Sequence, residues 1–111
     1  MDLNSIIFKL HLTPLHPTGE FEKQITGAIF SDILSDVMAH ARKGELWITN
    51  QTHVNIIAIV FFKSLAGVIL PGGLVPEPEA VDKAKQKNIP VLLTPNNAFD
   101  IAGQLYLAGL R

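Results

Sequence analysis

Three short polar turns carry most of the residues that could do chemistry in this chain. They are Thr49-Asn50-Gln51-Thr52-His53, Pro71-Gly72-Gly73 and Thr94-Pro95-Asn96-Asn97. Each turn follows a short apolar segment of buried-strand type. In open parallel sheets, ligands bind beyond the carboxyl ends of the strands, and the free N–H groups of a helix N-terminus attract anions. The spacing therefore predicts a site for a small anionic ligand, a nucleotide or a phosphorylated metabolite.

The predicted ligand-binding residues are polar side chains and glycines of these turns: Thr49, Asn50, Gln51, Thr52, His53, Gly72, Gly73, Thr94, Asn96 and Asn97. Thr52 and His53 would add a hydroxyl and an imidazole, and the two glycines would let a phosphate approach the backbone. A plainer alternative, which these residue types favour, is that Thr52 and Asn96 cap helices and the glycines only form a turn. Neither a P-loop nor a dinucleotide fingerprint is present.

Other reactive side chains have structural explanations. His11, His16 and His40 form no HxH or HxxxH pair, so we predict no metal site and no cofactor. The chain has no cysteine, which excludes disulfides, thiolate zinc sites and cysteine nucleophiles. Asp32 and Asp36 would share one helix face, where the helix dipole accounts for them better than acid–base chemistry does.

The elements that must position these turns alternate along the chain. We predict a first helix on Leu3, Ile6, Ile7 and Leu10 with Asp2 as a possible N-cap. Two prolines remove hydrogen-bond donors from the segment 12–17, so any strand there would lie at a sheet edge. Thr18-Gly19-Glu20 is predicted to form a turn, and a strand is predicted over 24–30. A helix would begin at Ser31-Asp32, with its row Ile33, Val37 and Ala41 facing inward, and end at Gly44.

The central unit is a strand at 46–49, an apolar segment over 52–65 and a strand at 66–70. Parallel strands need a crossover of about a dozen residues, so we interpret 52–65 as a helix capped by Thr52, although a strand over NIIAIVFF is the alternative. A helix that is apolar all round is buried all round. We assign Val54, Ile57, Ala58 and Phe61 to the sheet, and a subunit interface to Ile56, Ile59, Val60 and Phe62.

A helix from Pro78 to Asn88, a strand over 89–94 and a last helix complete the pattern. Asn96 or Asn97 would cap the last helix, in which Gly103 predicts close packing. The alternation predicts an α/β fold: one layered domain over 1–111, with a largely parallel sheet of four to five strands and right-handed helical crossovers.

The amino-acid composition limits which kinds of partner the chain is expected to have. Hydrophobic residues make up 48% of the 111 residues and charged residues only 17%, so we expect a homo-oligomer. A net charge of -1 argues against a nucleic-acid partner. No apolar run approaches about 18 residues and the first residues lack a signal-peptide pattern. The chain is therefore expected in the cytoplasm, away from the membrane.

The segment QITGAIFSDILSDVMAHARKGELWITNQTHVNIIAIV resembles the core of the DRTGG domain, and the likeness continues through LAGVILPGG, IPVLLT and the last helix. Thr26-Gly27 match the naming motif, whereas Glu22-Lys23 stand at its acid-base pair and Ala28 replaces a glycine. The resemblance implies a fold similar to the N-terminal domain of HPr kinase/phosphorylase and to a domain of some Mur ligases. It also implies a regulatory or structural role, as in domains attached to CBS-domain pyrophosphatases.

We therefore hypothesise a non-catalytic regulatory or sensor module that self-associates and binds a small anionic ligand at the strand ends. An alternative is an interaction or adaptor subunit without a small-molecule ligand. A small enzyme acting on a phosphorylated substrate, with His53 as its acid–base group, is disfavoured because no nucleophile, base and orienting group can be assembled from the sequence.

Overall fold

The computed structural model describes residues 1–17 and 21–110, so the turn predicted at Thr18-Gly19-Glu20 lies outside the described residues. Within them, helices and strands follow one another in this order: α1 (Leu3–Leu10), β1 (Thr13–Pro14), β2 (Gly27–Phe30), α2 (Leu34–His40), β3 (Glu45–Ile48), α3 (Asn55–Lys63), β4 (Gly67–Leu70), α4 (Pro78–Lys87), β5 (Val91–Leu93) and α5 (Ala98–Leu107).

The strands form one five-stranded sheet in the order β1-β5-β4-β3-β2. Strands β2, β3, β4 and β5 are mutually parallel, and β1 pairs antiparallel with β5 at one edge. Because Pro14 cannot donate to a ladder, the edge is the position that β1 tolerates. The predicted α/β fold with a largely parallel sheet is confirmed.

Two hydrophobic layers enclose the sheet. Helices α2, α3 and α4 pack on one face, where the fully buried Trp47, Val68 and Val91 meet them. Helices α1 and α5 pack on the other face, against a layer that contains Ile69 and Leu92. Residues of one strand alternate between the two layers, which is why these strands read as continuous apolar runs.

Helix α3 forms where it was predicted, and the alternative of a strand is wrong. Its N-cap is Val54, which makes no side-chain cap, so Thr52 does not begin the helix. The predicted faces are correct at Ile57, which is fully buried, and at Phe62, which is 74% exposed, and wrong at most of the other positions. Ile56, Ile59 and Val60 are buried in the core of this chain, whereas Phe61, assigned to the sheet, is 56% exposed. A helix that is apolar on every side carries no pattern that sets its rotation, so the sheet decides which side is covered.

Helix α2 is shorter than predicted. It begins at Leu34 after Ile33 at the N-cap, and it ends at His40, four residues before Gly44. Ile33 is 65% exposed rather than buried in the inward row. Gly44 instead takes a φ of +85° in the turn before β3, where a Cβ would lie 2.8 Å from Cγ2 of Thr26. The Asp36 carboxylate lies 2.9 Å from Nδ1 of His40. Asp32 precedes the helix, so the two carboxylates do not share a helix face as predicted.

Candidate functional site

The three predicted turns meet at one edge of the sheet because β3, β4 and β5 are parallel neighbours. Backbone hydrogen bonds join the second turn to the third and the first turn to the start of α4. The Gly72 N–H donates to the carbonyl of Asn96 at 2.7 Å, and the Gly73 N–H donates to that of Thr94 at 2.9 Å. The N–H of Glu77 donates to the carbonyl of Thr52 at 3.0 Å. We call this set of turns, residues 49–53, 71–73 and 94–97, the strand-end edge.

Asp32 organises the first of these turns, a role that the sequence analysis missed. Its carboxylate accepts hydrogen bonds from the Thr49 hydroxyl at 2.8 Å, from the Asn50 N–H at 2.7 Å and from the Asn50 Nδ2 at 2.9 Å. Its backbone carbonyl accepts a fourth from Nε2 of Gln51 at 3.0 Å. These donors lie 17 to 19 residues further along the chain, so no local motif could reveal the contact.

The hydrogen bonds also set the charge of Asp32. Partial burial of the carboxyl raises its pKa, but the bonds donated by Asn50 and Thr49 outweigh that effect and hold the pKa below its ordinary value. Asp32 is therefore ionised at neutral pH. The protein supplies its own anion to the donors of the first turn.

Other predicted site residues also have structural partners. The Nδ1 of His53 accepts from the Asn55 N–H at 3.1 Å, which leaves the Nε2 of a neutral ring as the donor. Asn97, not Asn96, caps α5 by accepting from the Asp100 N–H at 2.8 Å. The Thr94 hydroxyl accepts from the backbone N–H of Asn96 at 3.2 Å.

The amides of Gly72 and Gly73 are already engaged, so they are not available to a phosphate. Both glycines adopt a positive φ, which a turn of this kind requires, and a Cβ added to either would meet nothing within 4 Å in this chain. The glycine pair therefore fits the turn interpretation.

The electrostatics of the strand-end edge favour a neutral contact over a phosphate contact. Its three turns contain no Lys or Arg. Carboxylates stand beside them at Asp32, at Glu77 and Glu79 where α4 begins, and at Asp100 in the first turn of α5. The exposed or half-buried side chains of Asn50, Gln51, Thr52, His53, Asn96 and Asn97 offer hydroxyl, imidazole and amide groups instead. This arrangement suits a ligand read by neutral hydrogen bonds.

A cavity of about 590 Å³ lies elsewhere, along the outer side of α3 and α4. Apolar side chains line most of it, with three charged residues of α4 among them: Met38, Val54, Asn55, Ile57, Ala58, Ile59, Phe61, Phe62, Glu79, Lys83 and Lys87. The Lys87 ammonium lies 4.9 Å from the centre of the Phe61 ring. We call this surface the α3–α4 groove.

His16 plays a structural part. His16 is buried, with its Nε2 2.9 Å from the carbonyl of Ile89 and its Nδ1 3.1 Å from that of Pro17. Within residues 1–17 and 21–110, no group of three or more His, Asp or Glu side chains is placed to hold a metal ion.

Comparisons with known proteins give a family and a structural neighbour. The family model described as the DRTGG domain matches residues 19–108. A crystal structure of the CBS and DRTGG domains of the regulatory region of Clostridium perfringens pyrophosphatase, complexed with its activator diadenosine tetraphosphate, superposes with a TM-score of 0.75 at 20% identity. The match covers 94% of this chain and 45% of that one. No curated protein sequence matches significantly. Among the described helices, none has the length and apolarity needed to cross a membrane.

Proposed function

The chain belongs to the DRTGG domain family, and from this premise we propose that it is a non-catalytic regulatory or sensor module, folded as one domain over 1–111 and acting in the cytoplasm. One observation supports binding over catalysis. The polar groups of the strand-end edge hold one another in place, as Asp32 holds Thr49 and Asn50, and do not converge as nucleophile, base and orienting group.

The proposed ligand is a nucleotide whose base contacts the strand-end edge. Asn and Gln side chains can hydrogen-bond an adenine edge in two places. Asn96 is the amide of this edge whose side chain has no hydrogen-bond partner among the described residues, whereas Asn50, Gln51 and Asn97 already hold structural bonds. The phosphates would point away, because carboxylates and no cation surround the turns. The regulatory region of the Clostridium perfringens pyrophosphatase binds a dinucleotide activator, which supports this ligand class. That region also contains CBS domains, so the position of its activator is not transferred to this chain.

Thermal shift with adenosine, AMP, ATP, diadenosine tetraphosphate and inorganic phosphate tests the ligand. We expect the melting temperature to rise with the adenine compounds and to stay unchanged with phosphate. The Asn96 side chain has no hydrogen-bond partner among the described residues, so it is available to contact a ligand. Asn96→Ala should therefore abolish the rise in melting temperature. Gln86→Ala, an exposed amide on α4, is the matched control. No shift across the whole panel would contradict the proposed ligand.

A second candidate is an interaction module without a small-molecule ligand. The α3–α4 groove supports it, since Phe61 is 56% and Phe62 is 74% exposed beside an apolar cavity. Large exposed apolar patches mark interaction sites. This candidate predicts self-association that Phe62→Lys disrupts and no response to the nucleotide panel. Light scattering with and without nucleotide separates the two candidates.

A further inference from the structure

The two edges of the sheet differ in how well they are protected. Strand β1 has two residues, one of them Pro14, and prolines and short strands are the usual means of blocking an edge. Strand β2 forms the opposite edge with four residues, Gly27–Phe30, and contains no proline and no charge. An uncharged edge strand of this length is a template for pairing with another strand.

The backbone of β2 has hydrogen-bonding groups that point away from the sheet. The N–H of Ser31, directly after the strand, donates toward β3 to the carbonyl of Ile48 at 3.3 Å. Residues of a strand alternate in direction, so Ala28 and Phe30 present their N–H and C=O groups outward. Just upstream, the Ile25 N–H is satisfied by the carbonyl of Met1 at 2.9 Å. Among the described residues, no segment pairs in the same way with Gly27–Phe30.

Exposed apolar side chains flank this edge on both faces of the sheet. On the α5 side, Phe30 is 49% and Tyr106 is 57% exposed, and both line a cavity of about 260 Å³ that reaches Ala28 and Leu110. On the other side, Ile33 is 65% exposed just before α2. Unprotected backbone and apolar flanks therefore occur together at one edge.

We infer that β2 pairs antiparallel with β2 of a second copy of this chain, which joins the two five-stranded sheets into one. This inference goes beyond the proposed function: it takes up the homo-oligomer expected from the composition and assigns its surface to β2 rather than to the α3–α4 groove. A two-fold axis perpendicular to the sheet keeps the α5 sides together, so the aromatic flanks of both copies meet on one face and the Ile33 flanks meet on the other. The partner is a second copy because β2 carries no charge that a two-fold axis would set against itself, and its outward N–H and C=O groups satisfy the equivalent groups of an antiparallel copy.

The apolar flanks are also needed to give the interface between the two copies enough buried area. A stable interface buries about 800 Å² on each partner. Four strand residues alone do not supply that area, and the apolar side chains on both faces extend it. The lack of charged side chains in β2 also avoids like charges directly across the two-fold axis, which would destabilise a strand pair.

Light scattering over a concentration series tests the inference with three matched variants. We expect the wild type to reach twice the 12.1 kDa chain mass and Phe30→Lys to shift it to a monomer, with at least a tenfold weaker dimer. Phe62→Lys in the α3–α4 groove and Phe99→Lys, at an 89% exposed site in α5, should leave the dimer intact. Circular dichroism confirms that each variant is folded.

Hydrogen exchange provides a test without substitutions. The outward amides of residues 27–30 should exchange rapidly in dilute protein and become protected at the concentrations where the dimer forms. A wild-type dimer that survives Phe30→Lys but dissociates with Phe62→Lys overturns the inference and leaves self-association standing. Absence of concentration-dependent protection in a dimer overturns it as well. A wild type that stays monomeric removes self-association itself, while the nucleotide thermal shift remains a separate test.

Discussion

Asp32→Ala should destabilise the protein by roughly 2 kcal/mol at neutral pH, because it removes the acceptor of three hydrogen bonds. The fully buried Thr49 hydroxyl loses the partner to which it donates, and an unsatisfied buried group costs about 1–3 kcal/mol. The groups of Asn50 are exposed and can turn to water, so they add little. Urea unfolding measured for both proteins gives the difference in free energy.

The loss should depend on pH in one direction. The folded pKa of Asp32 is lowered from an ordinary value of 3.8. Stabilisation by this carboxylate is therefore fully present above that value and disappears as the pH falls through the lower folded pKa. The Asp2 pKa is also lowered, mainly by hydrogen bonding to Ser5. Its contribution cancels when wild type and Asp32→Ala are compared at each pH.

Asp36→Ala is the matched control for the loss of one carboxylate. Asp36 lies 2.9 Å from His40 on an exposed helix surface, and such pairs contribute about 0–1 kcal/mol. The reasoning about Asp32 is refuted if Asp32→Ala unfolds at the same urea concentration as the wild type. A difference between the two proteins that stays constant from neutral pH to below the folded pKa would refute the charge-based part.

Three further substitutions test the described packing by urea unfolding. Gly103→Ala should stabilise the protein by about 1 kcal/mol, because a Cβ there meets nothing within 4 Å and alanine is the better helix former; a loss of stability would contradict the open site. Gly67→Ala should cost roughly 1–3 kcal/mol, since its Cβ would lie 2.9 Å from the backbone carbonyl of Pro90, and a neutral result would show that the strands separate easily. Asn97→Ala should cost about 1 kcal/mol by removing the cap of α5, whereas Asn96→Ala should cost less.

The order of the helices and strands was predictable because each of them has its own local residue pattern. Short β-branched runs and helical apolar periods alternate from β2 onward, and only a layered sheet with helical crossovers accommodates that alternation. Two caps were also predictable from residue type. Asp2 accepts from the Ser5 N–H at 2.8 Å, and Asn97, one of the two residues proposed for α5, accepts from Asp100.

The rotation of α3 and the role of Asp32 were not predictable, for two different physical reasons. Nearly every residue of α3 is apolar, so its burial is decided by the sheet that it covers and not by its own pattern. Asp32 lies beside Ser31 in a segment that resembles a helix start, but its carboxylate finds better donors in Thr49 and Asn50. Contacts between residues far apart in sequence displaced the local cap. Gly103 shows the same limit, because sequence cannot tell an open helix surface from a close one.

Asp32 also links the two surfaces proposed for this protein. It follows β2 by two residues, while its carboxylate holds the turn that contains Asn50. Next to it, the carbonyl of the buried Ser31 accepts from Nε1 of Trp47 in β3 at 2.9 Å. The end of β2 is thus hydrogen-bonded to the first turn of the strand-end edge, and we expect a ligand that orders Asn50 to order the segment that follows β2 as well. Such coupling is reciprocal: a nucleotide that strengthens β2 pairing must bind the dimer more tightly by the same factor, and Asp32→Ala should reduce both effects together.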